Sequence, residues 1–266
     1  MKTLILVTAG VFAAASAVRA QSLDTRIKGA RGTVGFQFPT RSNVCGTSGG
    51  ITISNDTSPG WYRRSSRSGT TIGWNVRSDD ASGCEIGPAH VVLERNDGQV
   101  TVARVTVGSR AEHVDTDLGS VPVGEATRYL LSIAPQLSGR SADNAVMGAA
   151  IAEGPSVWRR MLEIARSNDA TESARKSSLF WVSQEAGEAA TAGLAAVADD
   201  DATQASVRSD ALFFLSQRPH GEGIPGLIKV VRESKSPKLR KDAIWFLSQS
   251  KDPRALDLFE RILSGK

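Results

Sequence analysis

One ten-residue block occurs three times in the last hundred residues of this 266-residue chain. Every copy opens with arginine and closes with Ser-Gln, and the three copies are 175–184, 208–217 and 240–249. The opening arginines are 33 and 32 residues apart. A period of about 20 to 50 residues is typical of stacked repeat architectures, because one unit of that size cannot bury its own apolar face. The block therefore predicts an array of packed units in this part of the chain.

The middle of each block is apolar at four successive positions, such as the Leu-Phe-Phe-Leu run at 212–215. Successive helical residues are rotated by about 100°, so four of them cover the whole circumference of a helix. The pattern predicts that each block forms a helix buried on nearly all sides, with Trp181 and Trp245 in the core. It also places any binding surface on the variable faces between the blocks.

A helical period of about 3.6 residues begins near residue 124 and continues to the end of the chain. The predicted helices are 125–136, 141–152, 155–166, 174–184, 188–198, 204–217, 224–233, 237–249 and 253–263. Four of them have proline at or near the first turn, where a missing N–H costs no hydrogen bond. These prolines are Pro155, Pro225, Pro237 and Pro253. The region is predicted to be an array of antiparallel helical hairpins.

Residues 22–120 predict β-strands, because Gly, Ser and Thr are dense there and no helical stripe persists. The clearest element is a hairpin over 90–107, where Asn96-Asp97-Gly98 supplies the turn between two runs rich in β-branched residues. The apolar alternation slips near Ala103-Arg104, which predicts a β-bulge there. Further strands are predicted at 32–38, 49–54 and 69–76, with a polar loop at 54–69.

The change of period predicts an α+β fold of two domains, a small antiparallel β domain at 21–123 and an α-α superhelix at 124–266. Residues 1–20 predict a signal peptide, because Lys2 precedes an apolar stretch at 4–15 and Val18-Arg19-Ala20 fits a cleavage site. We therefore expect export to the periplasm or the extracellular space after cleavage near Ala20. No later apolar stretch approaches the roughly 20 residues that span a bilayer, so no transmembrane segment is predicted in the mature chain.

Composition narrows the chemistry further. The only two cysteines, Cys45 and Cys84, predict a disulfide in an oxidising compartment, with two separate buried thiols as the alternative. Two cysteines and three scattered histidines predict no metal site, and no motif predicts a cofactor. The chain has 32 Lys and Arg against 28 Asp and Glu, and removal of 1–20 leaves 30 against 28. This near balance predicts no nucleic-acid partner.

The blocks resemble HEAT repeats, in particular the short HEAT-like repeats of phycobilisome lyases. In that family an arginine opens the second helix of each unit after an aspartate-rich turn, and here Asp199-Asp200-Asp201 precedes Arg208. The whole chain is similar to exported bacterial HEAT-repeat proteins with a cysteine-containing β region. The resemblance implies a HEAT-like solenoid in which the arginine and glutamine of each block form a structural ladder. These ladder residues are Arg175, Arg208, Arg240, Gln184, Gln217 and Gln249.

Two segments of the β region invite a chemical interpretation. Residues 45–50 are similar to the nucleophile motif of chymotrypsin-like proteases, but no histidine precedes Ser48 in the mature chain, so we expect no catalytic serine. A second segment combines aromatic with basic residues and is a possible loop for an anionic ligand, with a solvated loop as the alternative. Its residues are Trp61, Tyr62, Arg63, Arg64 and Arg67.

Together these patterns predict an exported, non-enzymatic adaptor whose helical repeats bind a protein or peptide. In one alternative, the β domain binds a cell-envelope glycan or an anionic ligand, and the repeats support it. In another, the chain is a lyase-like enzyme, an idea that rests on the likeness of the repeats alone. The sequence names no catalytic residue and leaves the identity of the partner open.

Overall fold

The computed structural model describes residues 21–47, 50–53, 85–108, 112–185 and 187–265. The predicted signal peptide at 1–20, the predicted loop at 54–69, the predicted strand at 69–76 and Cys84 lie outside these residues. The described chain is a mixed α+β fold in which two small sheets are followed by a run of helices. This confirms the predicted class.

The strands form a four-stranded sheet and a separate two-stranded hairpin. They are β1 (Val34–Phe38), β2 (Val44–Thr47), β3 (Gly50–Ile53), β4 (Ala89–Asn96), β5 (Gln99–Val107) and β6 (Thr116–Ser120). The larger sheet has the order β5-β4-β1-β6, and β2 pairs with β3. The strands predicted at 32–38 and 49–54 are confirmed as β1 and β3.

One edge of the larger sheet is parallel. β4 and β5 form the predicted hairpin, turned by Asp97 and Gly98, which both have positive φ. β1 is antiparallel to β4 but parallel to β6, so the prediction of an antiparallel β domain is wrong at this edge. A parallel pair needs a long crossover connection, and strand direction after such a connection leaves no local signal in the sequence.

The β-bulge predicted near 103–104 is misplaced. The register shifts opposite Glu94 and Arg95, and the extra residue on β5 is Thr101. From Ala103 onward the buried positions of β5 alternate in one phase. The point at which the inward-facing side chains of β5 shift by one residue therefore lies before Ala103.

A short helix stands before the first strand, where strands were expected. α1 (Leu23–Gly29) begins after Ser22, whose hydroxyl accepts a backbone N–H at 3.3 Å. Leu23 and Ile27 lie four residues apart and are both buried, as expected for one face of a helix. At the other end Arg95 Nη1 donates to the carbonyl of Ile27 at 2.6 Å. The helix is too short for its period to stand out in the sequence.

The helical part follows the predicted period closely. Its α-helices are α2 (Val123–Ile133), α3 (Gly139–Ile151), α4 (Trp158–Arg166), α5 (Glu172–Gln184), α6 (Glu188–Asp199), α7 (Ala205–Ser216), α8 (Ile224–Glu233), α9 (Pro237–Gln249) and α10 (Pro253–Leu263). The predicted ends of α8, α9 and α10 are confirmed to the residue. Pro155 is an exception among the prolines, because it follows Gly154 at a φ of 106° and α4 begins only at Trp158.

Alternate helices pack into two layers. Within consecutive pairs, α4 packs on α5, α6 on α7 and α8 on α9. The helices that contain the three blocks, α5, α7 and α9, also pack side by side, with α3 next to α5. On the other side α4, α6, α8 and α10 form the second layer. Each block helix therefore has one side against the second layer and the opposite side turned away from it.

The sheet and the helices share one hydrophobic core through α3. Gly148 lets α3 approach closely, because a Cβ there would lie 3.1 Å from side-chain carbons of both Leu130 and Val105. Nearby, Asn144 Nδ2 donates to the carbonyl of Ala103 on β5 at 3.1 Å. The buried apolar residues of the β region and of the helices belong to a single cluster. The β region thus closes the N-terminal end of the helical layers.

We expect Gly148→Leu to lower the free energy of unfolding by about 1–3 kcal/mol, because the new side chain must displace α3 from β5. Gly124→Ala in α2 is the matched control, since its Cβ would meet nothing within 4 Å. Urea denaturation followed by circular dichroism measures both changes. Equal stability of the Gly148→Leu variant and the wild type would contradict this packing.

Candidate ligand-binding surface

The three blocks place a row of aromatic side chains across one face of α5, α7 and α9. Each block contributes two adjacent rings, and neighbouring rings along the row have centroids 5.1 to 6.1 Å apart. Most of these contacts are edge-to-face, a favourable arrangement for aromatic pairs. We call this row the aromatic ribbon, and in spatial order it consists of Trp181, Phe180, Phe214, Phe213, Phe246 and Trp245.

The ribbon becomes more exposed toward the C-terminus. Trp181 is 5% exposed, whereas Phe213 is 46% and Trp245 is 59% exposed. The expectation that the block helices are buried on nearly all sides, with Trp245 in the core, is therefore wrong. When four successive apolar residues surround a helix, at least one of them faces the side of the helix that no neighbouring helix covers. The blocks contribute to the surface as well as to the core.

Most of the remaining apolar residues of the blocks anchor the ribbon from below, whereas Ile244 is 40% exposed. Leu179 and Leu212 open the apolar run in the first two blocks and are completely buried. Leu215 and Leu247 close the run in the second and third blocks and are at most 1% exposed. Each helix thus fixes its aromatic residues on a rigid, well-packed support.

A row of polar side chains runs along the N-terminal side of the ribbon. Lys238 Nζ lies 2.7 Å from Asp242 Oδ2, and Ser209 Oγ on the neighbouring helix donates to the same carboxylate at 2.9 Å. Burial raises the pKa of Asp210, which stands one turn before Phe214. These contacts join α7 to α9 and set a polar border for the aromatic surface.

The Ser-Gln pairs form a second polar row on the C-terminal side. Gln217 Nε2 donates to Ser216 Oγ at 3.0 Å, and Ser216 Oγ donates to the carbonyl of Phe213 at 2.6 Å. Gln249 repeats the first contact with Ser248 at 3.3 Å. These bonds lie within one block, whereas the predicted ladder expects the glutamines to join different repeats. They keep the amide groups beside the exposed rings.

The opening arginines bind the end of the preceding helix. Each guanidinium donates to a backbone carbonyl at the C-terminal end of that helix or just beyond it, where such carbonyls lack a helical partner. The acceptors are Ala170 for Arg175, Ala198 for Arg208 at 2.9 Å and Ser234 for Arg240 at 2.6 Å. Arg208, which is buried, also forms an ion pair with Asp201 at 2.7 Å. Each arginine holds its own pair of helices together.

A further contact between successive repeats comes from a residue that the period does not reveal. Arg218 is buried and donates to the carbonyls of Ser183 at 2.8 Å and Glu185 at 2.6 Å. Its Nη2 atom forms an ion pair with Glu222 Oε2 at 2.7 Å. Burial alone would raise the pKa of Glu222, but the hydrogen bond from Arg218 helps to lower that pKa below its ordinary value. Arg218 follows the Ser-Gln pair of the second block, and the first and third blocks have Glu185 and Ser250 there. Comparison of the blocks therefore gave no signal for it.

The remaining predicted site residues lie in or near the β region. Cys45 lies on β2, while its predicted partner Cys84 is outside the described residues. Glu85, the next residue after Cys84, exchanges two backbone hydrogen bonds with Gly46 at 2.8 and 2.9 Å. Gly46, which follows Cys45, is thus paired with Glu85, which follows Cys84. The disulfide between the two cysteines stays a prediction. The possible ligand loop, Trp61, Tyr62, Arg63, Arg64 and Arg67, lies outside the described residues.

No protein-family model matches the chain, and comparison with curated proteins and with solved structures finds no similar protein. Among the described helices, none has the length and apolar character needed to cross a bilayer. In the same part of the chain, no three His, Cys, Asp or Glu side chains are grouped so that they could hold a metal ion. His90 is buried, and its Nε2 donates to the carbonyl of Gly108 at 2.9 Å. The geometry favours the aromatic ribbon as the candidate site, because exposed rings pack there into a contiguous apolar row.

We expect Trp181→Ala and Trp245→Ala to differ sharply in stability, although both tryptophans belong to the ribbon. Loss of the buried Trp181 should lower the free energy of unfolding by about 3–5 kcal/mol. Loss of the exposed Trp245 should lower it by no more than about 0.5–1 kcal/mol. Chemical denaturation of both variants measures the difference. Similar, large losses in both would show that Trp245 is a core residue.

Proposed function

We propose that the chain is a non-enzymatic adaptor that binds a protein or peptide through the aromatic ribbon. The observation that carries the proposal is the exposure of Phe213 and Trp245 within a row of six packed rings. Leaving apolar surface in water forgoes about 25 cal/mol for every Å². A contiguous exposed apolar patch is typical of interaction sites, and aromatic residues are enriched among the side chains that dominate binding energy.

The rigidity of the ribbon supports a binding role. Its rings stand on helices and pack against one another, and the Ser216 hydroxyl bonds to the backbone beneath Phe213. A surface that is ordered before the ligand arrives loses little conformational entropy on binding. We expect the free and bound forms to differ little in this region.

The proposal includes the architecture implied by the repeats. Side-by-side packing of α5, α7 and α9 over a second layer supports a HEAT-like solenoid in which the block helix is the second helix of each unit. The 21–123 region would be a β domain that caps the first repeat and shares its core with α3, and the chain would be exported. Arg175, Arg208 and Arg240 would then be structural residues, each of which holds one unit together.

The charged groups beside the ribbon pair with one another along their own helices. Lys176 pairs with Glu172 at 2.6 Å, and Lys238 pairs with Asp242 at 2.7 Å. Both pairs join residues four apart on one helix, an arrangement that supports helices in general. Exposed pairs of this kind are typical of a solvated helix surface, and the lyase alternative rests on the likeness of the repeats alone.

The test is a double variant of the full chain, Phe213→Ala with Trp245→Ala, expressed in its native host. Crosslinking and mass spectrometry with the wild-type protein first identify the specific partner. We expect the double variant to bind that partner at least about tenfold more weakly, since both rings are exposed anchors. Thermal unfolding should stay close to that of the wild type.

The matched control is Leu256→Ala, which removes an equally exposed apolar side chain (58%) from α10, outside the ribbon. It should bind the partner as the wild type does. Unchanged affinity in the double variant, or an equal loss in Leu256→Ala, would contradict a binding surface at the ribbon.

A further inference from the structure

The helical layers end in an apolar face on α9 and α10. Leu179 and Leu212 occupy the fourth place after the arginine in the first two blocks and are completely buried. Ile244 occupies the same place in the third block and is 40% exposed. Among the described helices, α7 and α9 pack side by side and no further block helix lies on the other side of α9. A stacked array usually ends in a unit with a polar outer face, and this end departs from that rule.

Contacts with α7 show which side of α9 is open. Ser209 Oγ of α7 donates to Asp242 Oδ2 at 2.9 Å, and the ring centroids of Phe213 and Phe246 lie 6.1 Å apart. Ile244 is two residues from both Asp242 and Phe246, a rotation of about 200° around the helix. Its side chain therefore points away from α7.

α10 is open on the side opposite to α8. The groove between these two helices is lined on α10 by Arg254, Asp257 and Arg261. Leu256 and Leu263 are 58% and 88% exposed, and both are rotated by roughly half a turn from the row that lines the groove. They are seven residues apart and share one face of the helix. α10 thus leaves apolar residues uncovered at the same end of the layers as the open side of α9.

Two charged residues border this apolar end. We call Lys241 and Ile244 on α9, with Leu256, Glu260 and Leu263 on α10, the end face. Lys241 and Glu260 are exposed, and within the described part of the chain neither forms an ion pair, whereas the other charged residues of α10 include two paired arginines. Lys241 is three residues before Ile244 and Glu260 is four residues after Leu256, about one helical turn in each case. The face therefore has a positive and a negative group at matching distances from its apolar centre.

We infer that the end face joins two copies of this chain in a symmetric dimer, in which α9 of each copy packs antiparallel on α10 of the other. Antiparallel packing sets the N-terminal side of one helix against the C-terminal side of its neighbour. Ile244 then meets Leu256 of the second copy, and one turn away Lys241 meets Glu260 of the second copy. A two-fold axis makes every such contact occur twice, so the dimer gains two apolar contacts and two ion pairs.

The charges of the end face favour a second copy as its occupant. A face with charges of one sign would repel its own copy, whereas the opposite charges of Lys241 and Glu260 make this face complementary to itself. The dimer also leaves the aromatic ribbon open, because Trp245 is rotated by about 100° from Ile244 around α9. The inference is therefore independent of the binding function proposed for the ribbon.

The test measures the mass of the full chain in solution by sedimentation velocity over a range of concentrations. We expect the wild type to form a dimer with a micromolar dissociation constant. Lys241→Glu and Glu260→Lys should each weaken the dimer at least about tenfold, because each change sets like charges against one another at both symmetric contacts. Thermal unfolding of both variants should stay close to that of the wild type, since both side chains are exposed.

A one-to-one mixture of the two variants distinguishes a contact between copies from an effect within one chain. The Lys241→Glu copy is acidic at both positions and the Glu260→Lys copy is basic at both, so each restores the charge match for the other. We expect the mixture to dimerise to within about threefold of the wild-type affinity, although neither variant does so alone. A tag on one variant and capture of the untagged one confirms that the dimer is mixed.

The matched control is Lys28→Glu, the same charge reversal on α1, in the region that closes the other end of the helical layers. It should dimerise as the wild type does. A wild-type chain that stays monomeric, single variants that dimerise normally, or a mixture that does not associate would each overturn the inference.

Leu256→Ala separates the end face from the ribbon. It should weaken the dimer at least about threefold, because apolar contact is lost at both symmetric positions, and should still bind the partner of the ribbon normally. Phe213→Ala with Trp245→Ala should show the reverse, a normal dimer and weak binding of that partner. Failure of either proposal is therefore visible without the other.

Discussion

The side-by-side packing of α5, α7 and α9 is the constraint on which the rest of the helical region depends. A helix in a layer has one side against the second layer, two sides against its neighbours and one side left open. Because every block carries four successive apolar residues, the open side necessarily receives an apolar group. Leu212 and Leu215 occupy the inner sides, while Phe213 reaches the surface. One short repeat thus produces both the core and the aromatic ribbon.

Arginine contacts hold this layer in place at two levels. Within a unit, Arg208 satisfies the carbonyl of Ala198 at the end of α6 and pairs with Asp201. Between units, Arg218 reaches back to the carbonyls of the preceding connection. Hydrogen bonds from a buried charged group are worth about 1.5–3 kcal/mol each, so these contacts fix the relative positions of the helices. The relative positions of the aromatic pairs follow from that fixed geometry.

The sequence predicted the helical part well because its signals are local. Proline and the 3.6-residue period mark the ends of α8, α9 and α10 to the residue. Features that depend on distant parts of the chain left no such signal. The parallel pairing of β1 with β6 depends on a crossover connection, and the role of Arg218 depends on a position that is not repeated between the blocks. The expectation that the block helices are buried on nearly all sides was wrong, because counting apolar residues around a helix cannot tell which side of it a neighbouring helix covers. Trp181 and Trp245 differ in exposure because they occupy successive positions of the block and because Trp181 also lies beside Arg41 and Ile53 of the β region.

Hydroxyl-radical footprinting of the free, full-length protein is the most direct test of this account. The oxidation rates of Trp181 and Trp245, which have the same intrinsic reactivity, report how far each ring is accessible to solvent. The account predicts that Trp245 is oxidised several times faster than Trp181, because their exposed fractions are 59% and 5%. Phe213 should likewise react faster than Phe214. Equal protection of Trp181 and Trp245 would mean that the ribbon is covered in the free protein, and would contradict its role as a ligand-binding surface.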